Sequence, residues 1–289
     1  METRKKILTV TLFTLLSLGG CVTAPTSGVI TIPANLEALT TTGTVLSLLP
    51  PPKVPLDVAV YRFNDLTGKN KPSDDFAQYS RAVTQGGASI LVDVLKEAGY
   101  GKWFEVVERE GIDSLLRERD LIQRTRIAFQ GPKAEPVPAL RFAGILLEGG
   151  IVGYDSNETT GGVGARALGI GGAIQYRRDV VTVALRAVSV QSGRVLTSVT
   201  TTKTIYSILL EGGTFRFVAL TDILEAEAGV SHNEPEQIAT REAIELAVYS
   251  LIVQGAKGGL WEFENLEQAR QVIRDYEARY RNRMISATG

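Results

Sequence analysis

The sequence predicts an α+β protein, and three observations lead there. Between residues 58 and 122 apolar runs alternate with helical spacing in the order strand, helix, strand, helix, which is the pattern of an α/β unit. From 145 to 218 long β-branched runs are separated by Gly, Ser and Thr and show little helical period. Beyond 234 helical spacing returns twice. A chain of 289 residues can bury such a core without disulfide or metal staples.

Taken in order, the first element is a leader. Arg4, Lys5 and Lys6 precede an uncharged apolar run over 7–18 that ends at Gly19-Gly20-Cys21. The run falls short of the ~20 residues of a spanning helix, so 1–20 reads as a signal peptide. Leu18-Gly19-Gly20-Cys21 matches the bacterial lipobox, which makes Cys21 an acylation site carrying a covalent lipid. Val22, rather than Asp, follows it, which is compatible with transfer to the outer membrane. Residues 21–55 are rich in Thr, Ser, Gly and Pro, end near Pro50-Pro51-Pro52, and read as a tether. The folded domain is expected over 56–289.

Within it, 58–63 gives a first strand, and Gly68 and Pro72 mark the loop that follows. Ile90, Leu91, Val94 and Leu95 predict a helix over 85–98, 104–107 a short strand, and Ile112, Leu115, Leu116 and Ile122 a second helix over 109–122. Strands are expected at 145–154, 180–190, 195–207 and 215–218. A helix over 234–254 carries Ile238, Ile244, Val248, Leu251 and Ile252 on one stripe. The last helix, 265–281, groups Ala269, Val272, Ile273, Tyr276 and Tyr280.

Composition removes several functions. Lys+Arg 31 against Asp+Glu 32 gives a net charge of −1, so no basic field exists to attract nucleic acid. One Cys and one His exclude a zinc cluster and an internal disulfide framework. The run GGVGARALGIGG over 161–172 invites a nucleotide-loop reading, but Gly162, Gly164 and Gly169 are wrongly spaced and no helix pattern follows; Gly68-Lys69 is followed by Asn70. His232 reads as a loop or capping residue, and Glu225 with Glu227 as a solvated face. Neither an enzyme nor a cofactor beyond the lipid on Cys21 is expected.

Two hairpins, over 154–179 and 199–218, have weakly alternating strands with Tyr154, Tyr176, Tyr206, Phe215 and Phe217 among them. Membrane-barrel strands of about 9–11 residues look like this, and so do ordinary hairpins in water. The pattern alone leaves both open.

Further motifs keep order and spacing along the chain: Cys21-Val22-Thr23-Ala24-Pro25, Asp65 with Thr67-Gly68 and Lys71-Pro72, Trp103-Phe104, and ERxGIxxLLxER over 108–119. They continue with Glu148-Gly149, Gly153-Tyr154, Ser156-Asn157, GGVGAR over 161–166, Phe215-Arg216-Phe217, Asn233-Glu234-Pro235 and Gly259-Leu260-Trp261. Through them the chain, from Cys21 to about Tyr280, resembles the CsgG family of outer-membrane lipoproteins that export curli subunits. The resemblance implies a periplasmic α/β domain whose two hairpins per subunit enter the outer membrane and join one shared transmembrane β-barrel. It implies a homo-oligomer, nonameric in the family, with unfolded curli-type amyloid subunits as cargo and periplasmic and extracellular accessory factors as partners. A channel constriction is implied in the loop 71–83, at Phe76, Gln78 and Tyr79. There the chain departs from the family, which has Asn beside Phe where this sequence has Gln78-Tyr79. Export is expected to proceed by diffusion without ATP. In the rival reading the hairpins stay in water, and the chain is a membrane-tethered periplasmic lipoprotein that binds or regulates an envelope enzyme.

Overall fold

In the computed structural model, residues 39–67, 86–160, 175–210, 214–218 and 235–286 are described. The β-branched runs become six strands: β1 (Leu56–Asp65), β2 (Phe104–Val107), β3 (Ile145–Thr160), β4 (Gln175–Ser189), β5 (Val195–Leu210) and β6 (Thr214–Val218). They form one sheet in the order β2-β1-β3-β4-β5-β6. β1 runs parallel to both its neighbours, and every later pairing is antiparallel. Val58, Ala59 and Val60 are consecutive and all buried, as a strand flanked by parallel neighbours requires.

Five helices are described: α1 (Thr41–Ser47), α2 (Gly87–Glu97), α3 (Ile112–Gln130), α4 (Pro235–Lys257) and α5 (Leu266–Ser286). α2 packs on β1 and β2, α4 on β4 and β5, and α1 on both α2 and α4. The core lies between this helical layer and the sheet, with Leu91, Leu95, Trp103, Phe104, Leu147, Ile151, Leu185 and Ile244 among its buried side chains. Trp103 anchors one end, its ring edge-on to Phe263 at 4.9 Å and its Nε1 donating to the Pro50 carbonyl at 2.9 Å.

Three elements differ from the sequence reading. The stretch from Leu39 to Pro55, expected as part of the tether, folds onto the domain: Thr40 caps α1 by accepting from Gly43 N at 2.9 Å, and Leu46 and Leu49 enter the core. α4 is buried around almost its whole circumference instead of along one stripe, because sheet, α1, α2 and α5 surround it. α3 runs on past 122 to Gln130, where Gly131 adopts a φ of 86° and Pro132 follows. None of the α3 residues is buried; Arg119, Gln123 and Arg126 bond instead to the backbone of Pro138, Val137 and Glu135.

The glycine pair in β3 is explained by crowding. A Cβ at Gly149 would stand 2.1 Å from the Ala184 carbonyl oxygen, and one at Gly150 2.3 Å from that of Asn64. Here three strands approach too closely for any side chain.

Candidate functional site

The sheet outgrows the domain. β3, β4 and β5 run 16, 15 and 16 residues, against a usual 5–6 or so; at about 3.3 Å per residue the longest reach about 50 Å. β1 accompanies β3 only from Val58↔Ile145 to Asp65↔Ile151, where the Asp65 carboxylate accepts from Thr67 N at 2.8 Å and turns the chain away. Residues 152–160 of β3 continue without it, past a bulge between Ile151 and Gly153.

That continuation stays paired with β4 as far as Thr160↔Gln175, β4 with β5 as far as Tyr176↔Ile208, and β5 with β6 from Tyr206↔Val218 to Leu210↔Thr214. The result is a four-stranded antiparallel ribbon, β3-β4-β5-β6. Among the described residues no strand lies beyond β6, nor beside β3 past Ile151. Of the two hairpins expected over 154–179 and 199–218, the described strands, 154–160 with 175–179 and 199–210 with 214–218, belong to this ribbon; the residues between them, 161–174 and 211–213, lie outside the described residues.

Where the ribbon leaves the core, side chains alternate with a period of two. Val181, Val183, Leu185, Val199, Thr201 and Ile205 are buried on the side of α4, while Thr200, Thr202, Thr204 and Arg186 are exposed. Thr201 Oγ1 donates to the Ala243 carbonyl at 2.7 Å, and Lys203 pairs with Glu242. The outermost buried layer among the described side chains holds a polar group. Asp179 is fully buried and accepts from the Tyr154 hydroxyl at 3.2 Å, with Ile205 opposite it in register.

On the exposed side Arg178 lies 3.7 Å from Asp155, and the hydroxyls of Thr182 and Thr202 are 3.2 Å apart. Farther out the register pairs Glu158 with Arg177. Tyr154 therefore sits at the base of the ribbon, while Tyr176, Phe215 and Phe217 hold register positions toward its far end.

Cys21, Phe76, Gln78 and Tyr79 lie outside the described residues, as do the glycine run 161–172, Glu225, Glu227 and His232. The motif residues that are described mostly shape the scaffold. Trp103 and Trp261 are buried, and Glu108 accepts from Gly111 N at 2.7 Å at the start of α3. Among the described residues no helix is long and apolar enough to cross a membrane, and no group of three His, Cys, Asp or Glu could hold a metal. Sequence reasoning missed one cluster: Glu97, Arg241 and Glu245, brought together from α2 and α4 beneath α1.

Fold and site together define a two-layer α/β domain that continues into an antiparallel ribbon whose outer edges, among the described residues, pair with no further strand. The family model for the curli production assembly/transport component CsgG matches residues 41–280. The curli production assembly/transport component CsgG of Salmonella typhimurium is 38% identical over 258 residues, covering 88% of this chain and 90% of its own. Its counterpart in Escherichia coli K12 is 37% identical over 266 residues, covering 91% of this chain and 93% of its own. The chain belongs to the CsgG family, whose members bear a transport name and not that of an enzyme. Among solved structures, a PelC dodecamer from Paraburkholderia phytofirmans is 14% identical, covers 69% of this chain and 90% of that one, and has a TM-score of 0.29, too distant a likeness to bear on fold or assembly.

Proposed function

We propose that the protein is an outer-membrane secretion channel that passes unfolded curli-type amyloid subunits from the periplasm to the cell surface. The observation that supports this most is the open-edged ribbon, carried by a chain whose family is named for curli assembly and transport. Four strands are too few to close into a barrel, and unpaired backbone edges are not tolerated in hydrocarbon. Copies arranged head to tail satisfy both demands, the outer edge of β3 in one subunit pairing with that of β6 in the next until the ring closes. Residues 152–160 of β3 meet the lower end of the ~9–11 residues that a tilted membrane strand needs.

In this reading the ring is a nonamer and Cys21 carries the lipid that holds each subunit at the outer membrane. Phe76, Gln78 and Tyr79, one set per copy, encircle the passage and admit an extended chain while excluding a folded one. Export runs down the substrate's own gradient and is assisted by periplasmic and extracellular accessory factors. No step calls for nucleotide.

Purified full-length protein in a planar bilayer is expected to give large, discrete current steps, and the Phe76→Ala, Tyr79→Ala double variant larger ones. Well-formed rings, seen end-on by electron microscopy, that carry no current would overturn the channel. Steps of unchanged size in the double variant would remove both aromatics from the constriction.

A further inference from the structure

Where α1 lies on α4, charge interrupts the apolar core. Glu245 is 0% exposed, and Arg241, one turn earlier, is 8% exposed. Arg241 Nη2 donates to Glu97 Oε1 of α2 at 2.7 Å. Its Nε comes within 3.2 Å of Glu245 Oε1 but at an angle that makes no hydrogen bond, and this buried oxygen accepts none among the described residues. The other carboxylate oxygen accepts from the hydroxyl of Thr40, the residue that caps α1. Beside it Glu242 pairs with Lys203 of β5 and lies 3.4 Å from the Thr42 hydroxyl.

α1 is what seals Glu245 from water. Gly43 rests directly on it, and a Cβ there would stand 2.7 Å from Oε1. Among the described residues, the groups facing the site include Arg241 and Lys203 on the positive side, and Glu97, Glu242 and Glu245 on the negative. Three carboxyl groups thus stand close together, and a proton on Glu245 relieves their mutual repulsion.

We propose that the contact between α1 and α4 is a proton-linked latch, in which Glu245 holds a proton while α1 lies over it and releases that proton when α1 lifts. Burial pushes the Glu245 carboxyl up to about 7, against the opposing pull of the Thr40 hydroxyl and Arg241, and with Glu242 and Glu97 adding to the rise. Lifting α1 returns water to the group and brings it back toward its ordinary value of 4.5. The docked form binds the proton more tightly, so docking is strongest below about pH 4.5 and weakens as pH rises to about 7. The limiting slope is about tenfold per pH unit, and above about 7 the docking constant levels off. Leu46 and Leu49 supply the apolar hold that this linkage modulates.

Hydrogen exchange on the full chain tests this, with rates at each pH divided by those of unprotected peptide. Protection of amides 44–49 is expected to fall by up to about tenfold per unit between pH 5 and 7 and then flatten, while α2 amides show no such trend and Glu245→Gln abolishes it. Flat protection in the unmodified protein, or the same slope in the variant, would overturn the latch. A second measurement stands apart from that variant: carbon NMR titration of the Glu245 carboxyl in the unmodified protein and in Gly43→Leu, whose side chain wedges α1 away. The midpoint is expected to drop from about 7 toward 4.5; equal midpoints in the two proteins would equally dispose of it.

Discussion

Gly255→Ala is expected to destabilise the protein, although alanine is the better helix former. Trp261 folds back over α4 with its Nε1 donating to the Ile252 carbonyl at 2.8 Å and only 7% of its surface exposed. Its ring fills the place of the missing side chain: a Cβ at Gly255 would stand 1.9 Å from Cζ2 and 2.3 Å from Cε2. Alanine must therefore displace the indole, at a cost of about 1–3 kcal/mol. Trp261→Ala alone removes a large buried ring and costs about 3–5 kcal/mol. With both changes the three atoms nearest that Cβ, all of the indole, are gone, and alanine recovers about 1 kcal/mol of helix propensity. The double variant should thus be more stable than Trp261→Ala by about 1 kcal/mol, which corresponds to a coupling of about 2 kcal/mol or more between the two sites. Urea denaturation of the four proteins, followed by far-ultraviolet circular dichroism, closes the cycle. Additivity within about 0.5 kcal/mol, or a Gly255→Ala protein more stable than the parent, would refute the steric account.

Two further changes probe the base of the ribbon. Thr201→Val keeps the shape of the side chain but deletes its bond to the Ala243 carbonyl, and the urea midpoint should drop by the equivalent of about 1 kcal/mol; no change would mean that the bond contributes nothing to the seating of β5 on α4. Tyr154→Phe takes one donor from the buried Asp179 carboxylate, for a loss of about 1–3 kcal/mol; an unshifted midpoint would show that this layer does not depend on the phenol.

Most of the sheet was legible because β-branched runs announce strands directly. β2 occupies the residues expected of it, and β1, β3, β4 and β5 differ chiefly by being longer. Helix α1 escaped detection because Thr-Thr-Gly-Thr has poor intrinsic helix propensity, and seven residues are too few to show a period. What stabilises it, the Thr40 cap and the burial of Leu46 and Leu49, belongs to tertiary structure. The enclosure of α4 was hidden for a related reason. Ala239, Ala243 and Ala247 let neighbours approach closely, and alanine does not mark an apolar face as leucine does.

The stop of α3 was written in Gly131-Pro132, beyond the point where its apolar spacing becomes irregular. The buried charge cluster was the least accessible. Glu97 and Arg241 are 144 positions apart, and Thr40 and Glu245 are 205 apart, so the only local trace was the i,i+4 spacing of Arg241 and Glu245. For Cys21 the lipobox spacing is itself a sequence signal. Phe76, Gln78 and Tyr79 rest on the family resemblance, since single-sequence patterns carry no signature for a constriction built between copies.

Strands β3, β4 and β5 pass from the domain into the ribbon as single continuous segments. A load applied at the ribbon's far tip travels along their axes, whereas the hydrogen bonds joining antiparallel strands lie across that direction. Such bonds are strained together, like the rungs of a ladder pulled lengthwise by opposite rails, and do not break in succession as they would in a zip. Because α4 packs on β4 and β5 below the ribbon, such a load reaches the helical layer along the same strands that carry it.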